Sequence, residues 1–334
     1  MTTTASTAPA ETTRAPGGTV GPSVVVRDLR QSYGDFEAVK GISFEIRPGE
    51  LFALLGTNGA GKTTTVETME GFRRPSSGTV RVFDQDPFGQ PTGVRERTNA
   101  VLQGGGLMED LRVEETLLLG RDLAAAPREV DEVLELINLA DKRKVAVRQL
   151  SGGQKRRLDL GLALVTRPDV LYLDEPTTGM DPEARHATWK IISDLKDDGV
   201  AVLLTTHYLE EAERLADRLA IMHRGEIRVE GTLSDVLAGW GDRVSFLLPS
   251  DVRTADLPEV DGSEFEVVTR DHALWATYTV REGNVADRAH HAVAALIAWA
   301  AERGSALQHL QVRGASLEDV FLQVADGASD LALD

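Results

Sequence analysis

The amino-acid sequence predicts an α/β fold with a mostly parallel sheet, followed by a small α+β appendage. A compact apolar run over residues 50–55 leads directly into a glycine-rich segment, which is typical of a buried strand followed by a loop. Buried-strand patterns over residues 169–173 and 200–205 alternate with helical patterns, which indicates parallel strands covered by helices on both faces. After Gly231 apolar residues alternate with polar ones, as in half-exposed antiparallel strands.

The main domain is predicted over residues 23–232. Residues 1–22 are rich in Thr, Ala, Pro and Gly and are expected to form a disordered tail, because they carry too few large apolar side chains to build a core. Strands are then predicted over residues 23–29 and 38–46, with a turn around Gly34. A helix over 63–71, a strand over 79–83 and helices over 182–195 and 209–216 complete this domain.

A helical subdomain is predicted within the main domain, over about residues 104–165. Its pattern is helical over 113–139 with an interruption at Pro127, and a further helix is predicted over 158–165.

A second, α+β domain is predicted over residues 240–326. Strands are expected over 243–248, 264–269, 274–280 and 307–312, with an amphipathic helix over 286–303. Ser316 and Asp319 resemble a capping box that opens a last short helix, which ends at Val324.

Composition narrows the possible partners. The 334 residues carry a formal net charge of -17, which argues against general binding to nucleic acid or to an anionic membrane. No apolar run approaches the roughly 18 residues needed to span a bilayer. The absence of cysteine excludes disulfides and thiolate metal sites and fits a reducing cytoplasm.

Residues 56–63 read Gly-Thr-Asn-Gly-Ala-Gly-Lys-Thr and lie between a predicted strand and a predicted helix. This is the spacing of a phosphate-binding loop, whose glycines let backbone N–H groups wrap the phosphates at a helix N-terminus. Lys62 is expected to reach the β and γ phosphates, and the Thr63 hydroxyl to bind Mg²⁺. A glycine turn with a surface lysine is the alternative. The predicted ATP-binding residues here are Gly56, Asn58, Gly59, Gly61, Lys62, Thr63 and Thr64.

Two adjacent carboxylates, Asp174 and Glu175, end the second buried strand. Carboxyl ends of parallel strands lie at one edge of the sheet, so both are expected beside the phosphate loop. Asp174 is predicted to hold Mg²⁺, and Glu175 to orient and polarise the attacking water. Alone, the pair would equally fit a solvated acidic turn.

A third motif, Leu-Ser-Gly-Gly-Gln over residues 150–154, leads into a helix predicted to start near Lys155. The Ser151 hydroxyl and the N–H groups of Gly152 and Gly153 offer a second anion site at a helix N-terminus. The roughly 90 residues between Lys62 and Ser151 are enough for a helical subdomain but too few for both sites of one chain to grip the same phosphate. Alone, Ser-Gly-Gly is also a common loop sequence.

These three motifs in this order resemble the nucleotide-binding subunit of ABC transporters over about residues 24–231. The resemblance implies a P-loop NTPase core, Mg²⁺-dependent ATP hydrolysis and an ATP-dependent, head-to-tail homodimer docked on a separate transmembrane permease at the inner face of the cell membrane. In that dimer Ser151, Gly152, Gly153 and Gln154 close over the ATP of the facing subunit.

The resemblance also assigns roles to four isolated residues. Tyr33 corresponds to the aromatic residue that stacks on adenine, and Gln103 to the glutamine that senses Mg²⁺. Asp181 corresponds to the residue that touches the opposite subunit, and His207 to the histidine that contacts the γ-phosphate. Each has an ordinary structural alternative, such as a helix N-cap for Asp181.

The closing segment, residues 314–322, reads Gly-Ala-Ser-Leu-Glu-Asp-Val-Phe-Leu and resembles that of bacterial drug-resistance and antibiotic exporter ATPases of the ABC-2 type. The expected function is therefore export of a drug-like or antibiotic compound. An importer ATPase remains the nearer alternative. Soluble ABC-type ATPases of translation or DNA repair fit less well, because those of translation carry two cassettes and those of repair carry long coiled coils.

Overall fold

The computed structural model describes residues 21–104, 106–250, 252–270, 273–281 and 288–325. The tail predicted over residues 1–22 lies almost entirely outside these ranges. Gly105 and the first two residues of the helix predicted over 286–303 also lie outside them.

A six-stranded sheet forms the centre of the main domain. Its strands are β3 (Leu51–Gly56), β5 (Thr98–Val101), β6 (Val170–Asp174), β7 (Ala201–Thr206), β8 (Arg218–His223) and β9 (Glu226–Gly231). They lie in the order β5-β6-β7-β3-β8-β9, and all neighbours are parallel except β8 and β9. Every residue of β3, β6 and β7 is buried, as expected for strands covered on both faces.

A three-stranded antiparallel sheet covers one face of this centre. It is formed by β1 (Val24–Tyr33), β2 (Phe36–Ile46) and β4 (Ser77–Val82), in the order β2-β1-β4. Apolar residues of its strands share one core cluster with Phe52, Val66 and Tyr172. Strand β3, which leads into the predicted phosphate loop, is therefore packed on both faces.

Helices also cover the central sheet. From the third helix on they pack into the core cluster of the other face, whereas the first two share the cluster of the antiparallel sheet. The third to the fifth lie within the range predicted for the helical subdomain. The helices of the main domain are α1 (Lys62–Met69), α2 (Thr92–Arg95), α3 (Val113–Leu123), α4 (Val130–Leu136), α5 (Gly152–Val165), α6 (Pro182–Asp197), α7 (Leu209–Leu215) and α8 (Leu233–Ala238). The helical pattern over 113–139 is interrupted at Pro127 as predicted, because α3 ends at Leu123 and α4 begins at Val130. Helix α5 begins three residues earlier than predicted, with Ser151 as its N-cap.

A third sheet, called the C-terminal sheet below, belongs to the region after the main domain. It contains β10 (Asp242–Leu247), β11 (Ser263–Arg270), β12 (Ala273–Val280) and β13 (Gln308–Arg313), antiparallel in the order β11-β12-β10-β13. Helix α9 (Arg288–Glu302) packs on this sheet through Ala292 and Leu296. All four strands and the helix were predicted, and the fold class is confirmed.

The last helix, α10 (Leu317–Ala325), packs its apolar face on the main domain. Leu317, Val320 and Val324 are buried in the same core cluster as β3 and α5. Asp319 completes the predicted capping box by accepting hydrogen bonds from the Ser316 N–H at 3.2 Å and from the Ser316 hydroxyl at 2.8 Å. Helix α10 thus completes the core of the main domain.

Among the described residues, none of the helices combines the length and the apolar character that crossing a membrane requires.

Candidate active site

The predicted phosphate loop connects β3 to α1. Gly61, the N-cap of α1, has a φ of 103°, and a Cβ atom there would lie 2.5 Å from the Ala38 carbonyl oxygen. Only glycine fits this position, because both its backbone conformation and its surroundings exclude a side chain. Asn58 and Gly59 are exposed at the tip of the loop, so its N–H groups face solvent where an anion can bind.

Lys62 lies buried beneath this loop. Its ammonium donates to the carbonyl oxygens of Gly56 at 2.8 Å and Thr57 at 3.3 Å. Burial lowers the pKa of Lys62, and the carboxylates of Glu175 and Asp174 oppose that shift. The Lys62 ammonium is therefore held between the loop and the acids Asp174 and Glu175 at the end of β6, which lies two strands away from β3 in the sheet.

Asp174 is the metal-ligand candidate at the end of β6. The Thr63 hydroxyl donates to Asp174 Oδ2 at 3.2 Å, and the Thr205 hydroxyl donates to Oδ1. A hydroxyl and a carboxylate oxygen side by side are hard ligands of the kind that Mg²⁺ prefers. Thr63 and Asp174 supply two such ligands, which fits an ion whose other ligands are phosphate oxygens and water.

Glu175 has an unusual backbone conformation. Its φ is 48°, in the left-handed region that non-glycine residues seldom occupy. The Glu175 N–H donates to the Thr205 carbonyl at 3.0 Å and to the Thr205 hydroxyl at 3.2 Å. This anchoring to β7 holds the strained turn, which is a common feature of functional sites.

Three polar side chains converge on the Glu175 carboxylate. Gln103 Nε2 donates to Glu175 Oε2 at 3.1 Å, and the Thr178 hydroxyl donates to the same oxygen at 3.2 Å. His207 Nδ1 lies 3.2 Å from Glu175 Oε1. The structure thus brings together Gln103, Glu175 and His207 from three separate loops.

Tyr33, the last residue of β1, lies next to the first turn of α1. Its hydroxyl is 3.4 Å from Thr64 Oγ1 in the first turn of α1. The ring is 41% exposed and carries the Arg73 guanidinium 5.2 Å from its centroid. An accessible aromatic face at this distance can stack on a planar base.

Ser151 and Asp181 serve as helix N-caps and remain exposed. The Ser151 hydroxyl accepts from the Gln154 N–H at 3.3 Å, and Gln154 Oε1 accepts from the Ser151 N–H at 2.9 Å. Asp181 caps α6 through the Ala184 N–H at 2.9 Å. A Cβ atom on Gly153 would lie 2.7 Å from that of Ala184, whereas Gly152 is open. In the described chain these hydrogen bonds are local and do not reach the phosphate loop.

Sequence reasoning missed several residues around the site. The hydroxyl groups of Thr205 and Thr178 form hydrogen bonds with Asp174 and Glu175, as described above. In the sequence, only their polar side chains at or after a buried strand could have pointed to them. Buried Glu211 accepts from the Thr177 hydroxyl and from Trp189 Nε1, both at 2.9 Å. It thereby ties the loop after Glu175 to α6 and α7.

A parallel sheet with a glycine loop after β3 and an acid at the end of β6, two strands away, defines a P-loop nucleotide hydrolase. Comparison with known proteins narrows this class. Residues 39–178 match the ABC transporter family model, and residues 242–316 match the C-terminal domain of ABC transporter domain-containing protein-like proteins.

Curated relatives extend the match across most of the chain. The doxorubicin resistance ATP-binding protein DrrA of Mycobacterium tuberculosis is 38% identical over 241 residues, which cover 70% of this chain and 73% of that protein. The Nod factor export ATP-binding protein I of Ralstonia nicotianae is 35% identical over 326 residues, covering 92% of this chain and 96% of that protein.

Solved structures agree with the fold. An ATP-binding subunit of an ABC transporter aligns with a TM-score of 0.58 at 30% identity and covers 64% of this chain and 91% of that chain. The cbiO1 protein of Clostridium perfringens, part of an ABC transporter complex, aligns with a TM-score of 0.60 at 28% identity and covers 65% and 91%.

The chain belongs to the ABC transporter ATP-binding family. Its predicted resemblance to ABC-2 type exporter ATPases is confirmed, because the relatives above are named for drug resistance and export. It is an ATPase of the kind that couples hydrolysis to transport, with ATP as substrate and Mg²⁺ as cofactor.

Proposed function

We propose that this protein is the ATP-hydrolysing subunit of an exporter and energises a separate membrane permease. It works as an ATP-dependent, head-to-tail homodimer held at the inner face of the cell membrane by that permease. The observation that carries the proposal is the convergence of Gln103, Thr178 and His207 on the Glu175 carboxylate, beside the Thr63–Asp174 pair.

Glu175 is the proposed general base that orients and polarises the attacking water. Its carboxylate is held by hydrogen bonds from Gln103 and Thr178, and its backbone is fixed to β7. His207 faces the other carboxylate oxygen and is placed to contact the γ-phosphate once ATP is bound. Such preorganised groups lower the barrier by positioning and electrostatics, since phosphoryl transfer needs little covalent help from the protein.

The phosphate loop binds the nucleotide. Lys62 would exchange its carbonyl contacts for the β and γ phosphates, while Tyr33 stacks on adenine and Thr64 supports it. Thr63, Asp174 and Gln103 are the residues that would hold Mg²⁺. When bound, that ion neutralises charge on the phosphate oxygens.

The second half of each ATP site comes from the facing subunit. The residues proposed to act in trans are Ser151, Gly152, Gly153, Gln154 and Asp181. Ser151, Gly152 and Asp181 are exposed, Gln154 is partly exposed, and Gly153 is buried beside Ala184. The capping hydrogen bonds of Ser151 and Asp181 stay within their own helices, which supports a role in trans. ATP held between the subunits would favour the closed dimer, and hydrolysis would release it.

The exported compound is proposed to be drug-like or antibiotic. The doxorubicin resistance relative supports this class, whereas the Nod factor export relative is named for a different cargo. Both names favour export over import. We therefore propose export as the direction and a small hydrophobic or antibiotic molecule as the cargo.

Substitution Glu175→Gln tests the catalytic proposal. The amide keeps the shape but cannot act as a base, so ATP binding should persist while turnover falls by about 100-fold or more. The trapped ATP should also shift the purified protein from monomer to dimer in size-exclusion chromatography. Asp197→Asn, at the far end of α6, serves as a control that changes one carboxylate without touching the site.

Full ATPase activity in the Glu175→Gln variant would contradict the role of Glu175. Copurification of the wild-type chain with a membrane protein, and stimulation of its ATPase by candidate compounds, tests the permease and cargo. A chain that never copurifies with a membrane protein would contradict the transport assignment.

A further inference from the structure

The guanidinium of Arg156 in α5 donates hydrogen bonds to four backbone carbonyls. Nε donates to Pro176 at 3.0 Å, and Nη2 donates to Asp174 at 2.9 Å and to Glu175 at 3.3 Å. Nη1 donates to Leu102. One side chain therefore binds two separate loops, both of which end at the active site.

These carbonyls are the direct partners of a half-buried charge. Burial lowers the pKa of Arg156, and the carboxylates of Asp159, Asp174 and Glu175 oppose the shift. Yet within the part of the chain that the structure describes, no carboxylate oxygen forms an ion pair with Arg156. The planar guanidinium, with five N–H donors in a fixed arrangement, can satisfy four carbonyls at once, which an ammonium cannot.

The bonded carbonyls lie next to the groups that act on ATP. Leu102 directly precedes Gln103, and Glu175 is the proposed base. Arg156 itself lies in the second turn of the helix that Ser151 caps. A continuous path of contacts thus runs from Ser151 along α5 to the backbones of Gln103 and Glu175.

We propose that Arg156 is a positioning residue for hydrolysis, which makes the placement of Gln103 and Glu175 depend on the position of the Ser151 helix. This inference rests on the proposed function, in which Ser151 meets the ATP of the facing subunit. Closure on that ATP would then move α5 and set Gln103 and Glu175 in the subunit's own site. Coupling of this kind needs a contiguous network with a shared rigid element, which α5 supplies.

Substitution Arg156→Lys keeps the positive charge but cannot span the four carbonyls. We expect turnover to fall about ten- to a hundred-fold, because small displacements of catalytic groups have effects of this size. ATP affinity should change by less than about two-fold, since the phosphate loop is untouched. In a Glu175→Gln background the variant should still form the ATP-dependent dimer.

The neighbouring Arg157 provides a matched control on the same helix. Its Nη1 also donates to backbone carbonyls, those of Ile137 at 3.0 Å and Asn138 at 3.1 Å, but these lie at the end of α4. Arg157→Lys therefore loses the same type of hydrogen bond away from Gln103 and Glu175. Its turnover should stay within about two-fold of the wild type.

Equal turnover of the Arg156→Lys and Arg157→Lys variants would overturn the proposal. So would a loss of turnover that is matched by a loss of ATP affinity or of melting temperature, because Arg156 would then be merely structural. Failure of the proposed function itself would give a different result, because the Glu175→Gln variant alone would then hydrolyse ATP or fail to dimerise with ATP.

Discussion

Glu175 shows how a single residue combines strain and support. Its left-handed φ of 48° turns the chain sharply at the end of β6 and directs the following residues, Pro176 to Thr178, back over the site. A non-glycine residue in this region costs of order 1–3 kcal/mol, which the surrounding structure must offset. The two hydrogen bonds from its N–H to Thr205 and the contact of its carbonyl with Arg156 supply that support.

Glu70, the C-cap residue of α1, is a partly buried acid whose pKa is raised far above that of an ordinary glutamate. Burial is the largest cause and the carboxylates of Asp174 and Glu67 add to it, so that together they raise its pKa from 4.5 to about 7. Between these two pH values the unfolded chain loses the proton that the folded protein retains. The free energy of unfolding should therefore fall as the pH rises from about 4.5 to 7 and then level off.

The variant Glu70→Gln removes this titration. Relative to wild type, its free energy of unfolding should rise across that pH range by at most roughly 3 kcal/mol, as measured by urea denaturation at several pH values. Glu96→Gln, an exposed glutamate on the same side of the domain, should show no such trend. A constant difference between wild type and Glu70→Gln would contradict the shifted titration.

Helix α10 is the element that joins the two regions of the chain. Its apolar face enters the main core through Leu317, Val320 and Val324. Its buried Asp319 accepts from Arg243 Nη1 of β10 at 2.6 Å and from Arg313 Nη2 of β13 at 3.0 Å. The helix thus binds the main domain on one side and the C-terminal sheet on the other.

Asp319→Asn should weaken this junction. Burial alone would raise the pKa of Asp319, but hydrogen bonds from Ser316 and the charges of Arg243 and Arg313 hold it below its usual range. The carboxylate therefore stabilises the fold at neutral pH, and this contribution disappears on acidification below about pH 4. At pH 7 we expect a loss of about 1–3 kcal/mol in the free energy of unfolding.

The matched control is Glu318→Gln, an exposed acid on the same helix. Thermal and urea denaturation should leave it within about 0.5 kcal/mol of the wild type. If both variants were equally stable at pH 7, the ion pairs of Asp319 would contribute nothing to the junction.

At the scale of the whole molecule, the two halves of the ATP site lie on separate surfaces of one chain. Lys62 and Thr63 lie at the carboxyl edge of the sheet, whereas Ser151 begins α5 in the helical region. The hydrogen bonds of each segment, as far as the chain is described, remain with its own surroundings. A complete site therefore requires two chains in the proposed dimer.

Mixing two defective variants tests this arrangement. In a Glu175→Gln background, Lys62→Ala and Ser151→Arg should each fail to trap ATP in a dimer. Their mixture should recover trapped ATP, because the heterodimer regains one site with an intact Lys62 facing an intact Ser151. The amount of nucleotide retained by the dimer after gel filtration measures the recovery.

The control mixes the Glu175→Gln protein with a chain that carries both further substitutions. Each site of that heterodimer contains one defective half, so its heterodimers should trap no ATP. If neither mixture produces ATP-retaining heterodimers, the head-to-tail arrangement is wrong.

Secondary structure was predictable where the local pattern is strong. Continuous apolar runs identified β3, β6 and β7, and the alternation of apolar and polar residues identified the strands of the C-terminal sheet. Strands β5, β8 and β9 and helix α8 were not predicted. Residues of β5 such as Thr98 and Asn99 are polar, so this short strand owes its place to pairing with β6 rather than to its own periodicity.

The sequence by itself determined the phosphate loop, the acids that follow β6 and the Ser151 segment, because each depends on the spacing of neighbouring residues. It also indicated Gln103 and His207, through a resemblance rather than through local physics. Only the tertiary structure decided that Gln103, Thr178 and His207 meet at Glu175, and that Arg156 binds two loops. Those contacts join residues that lie far apart along the chain, and only the packing of the sheet and α5 brings them together.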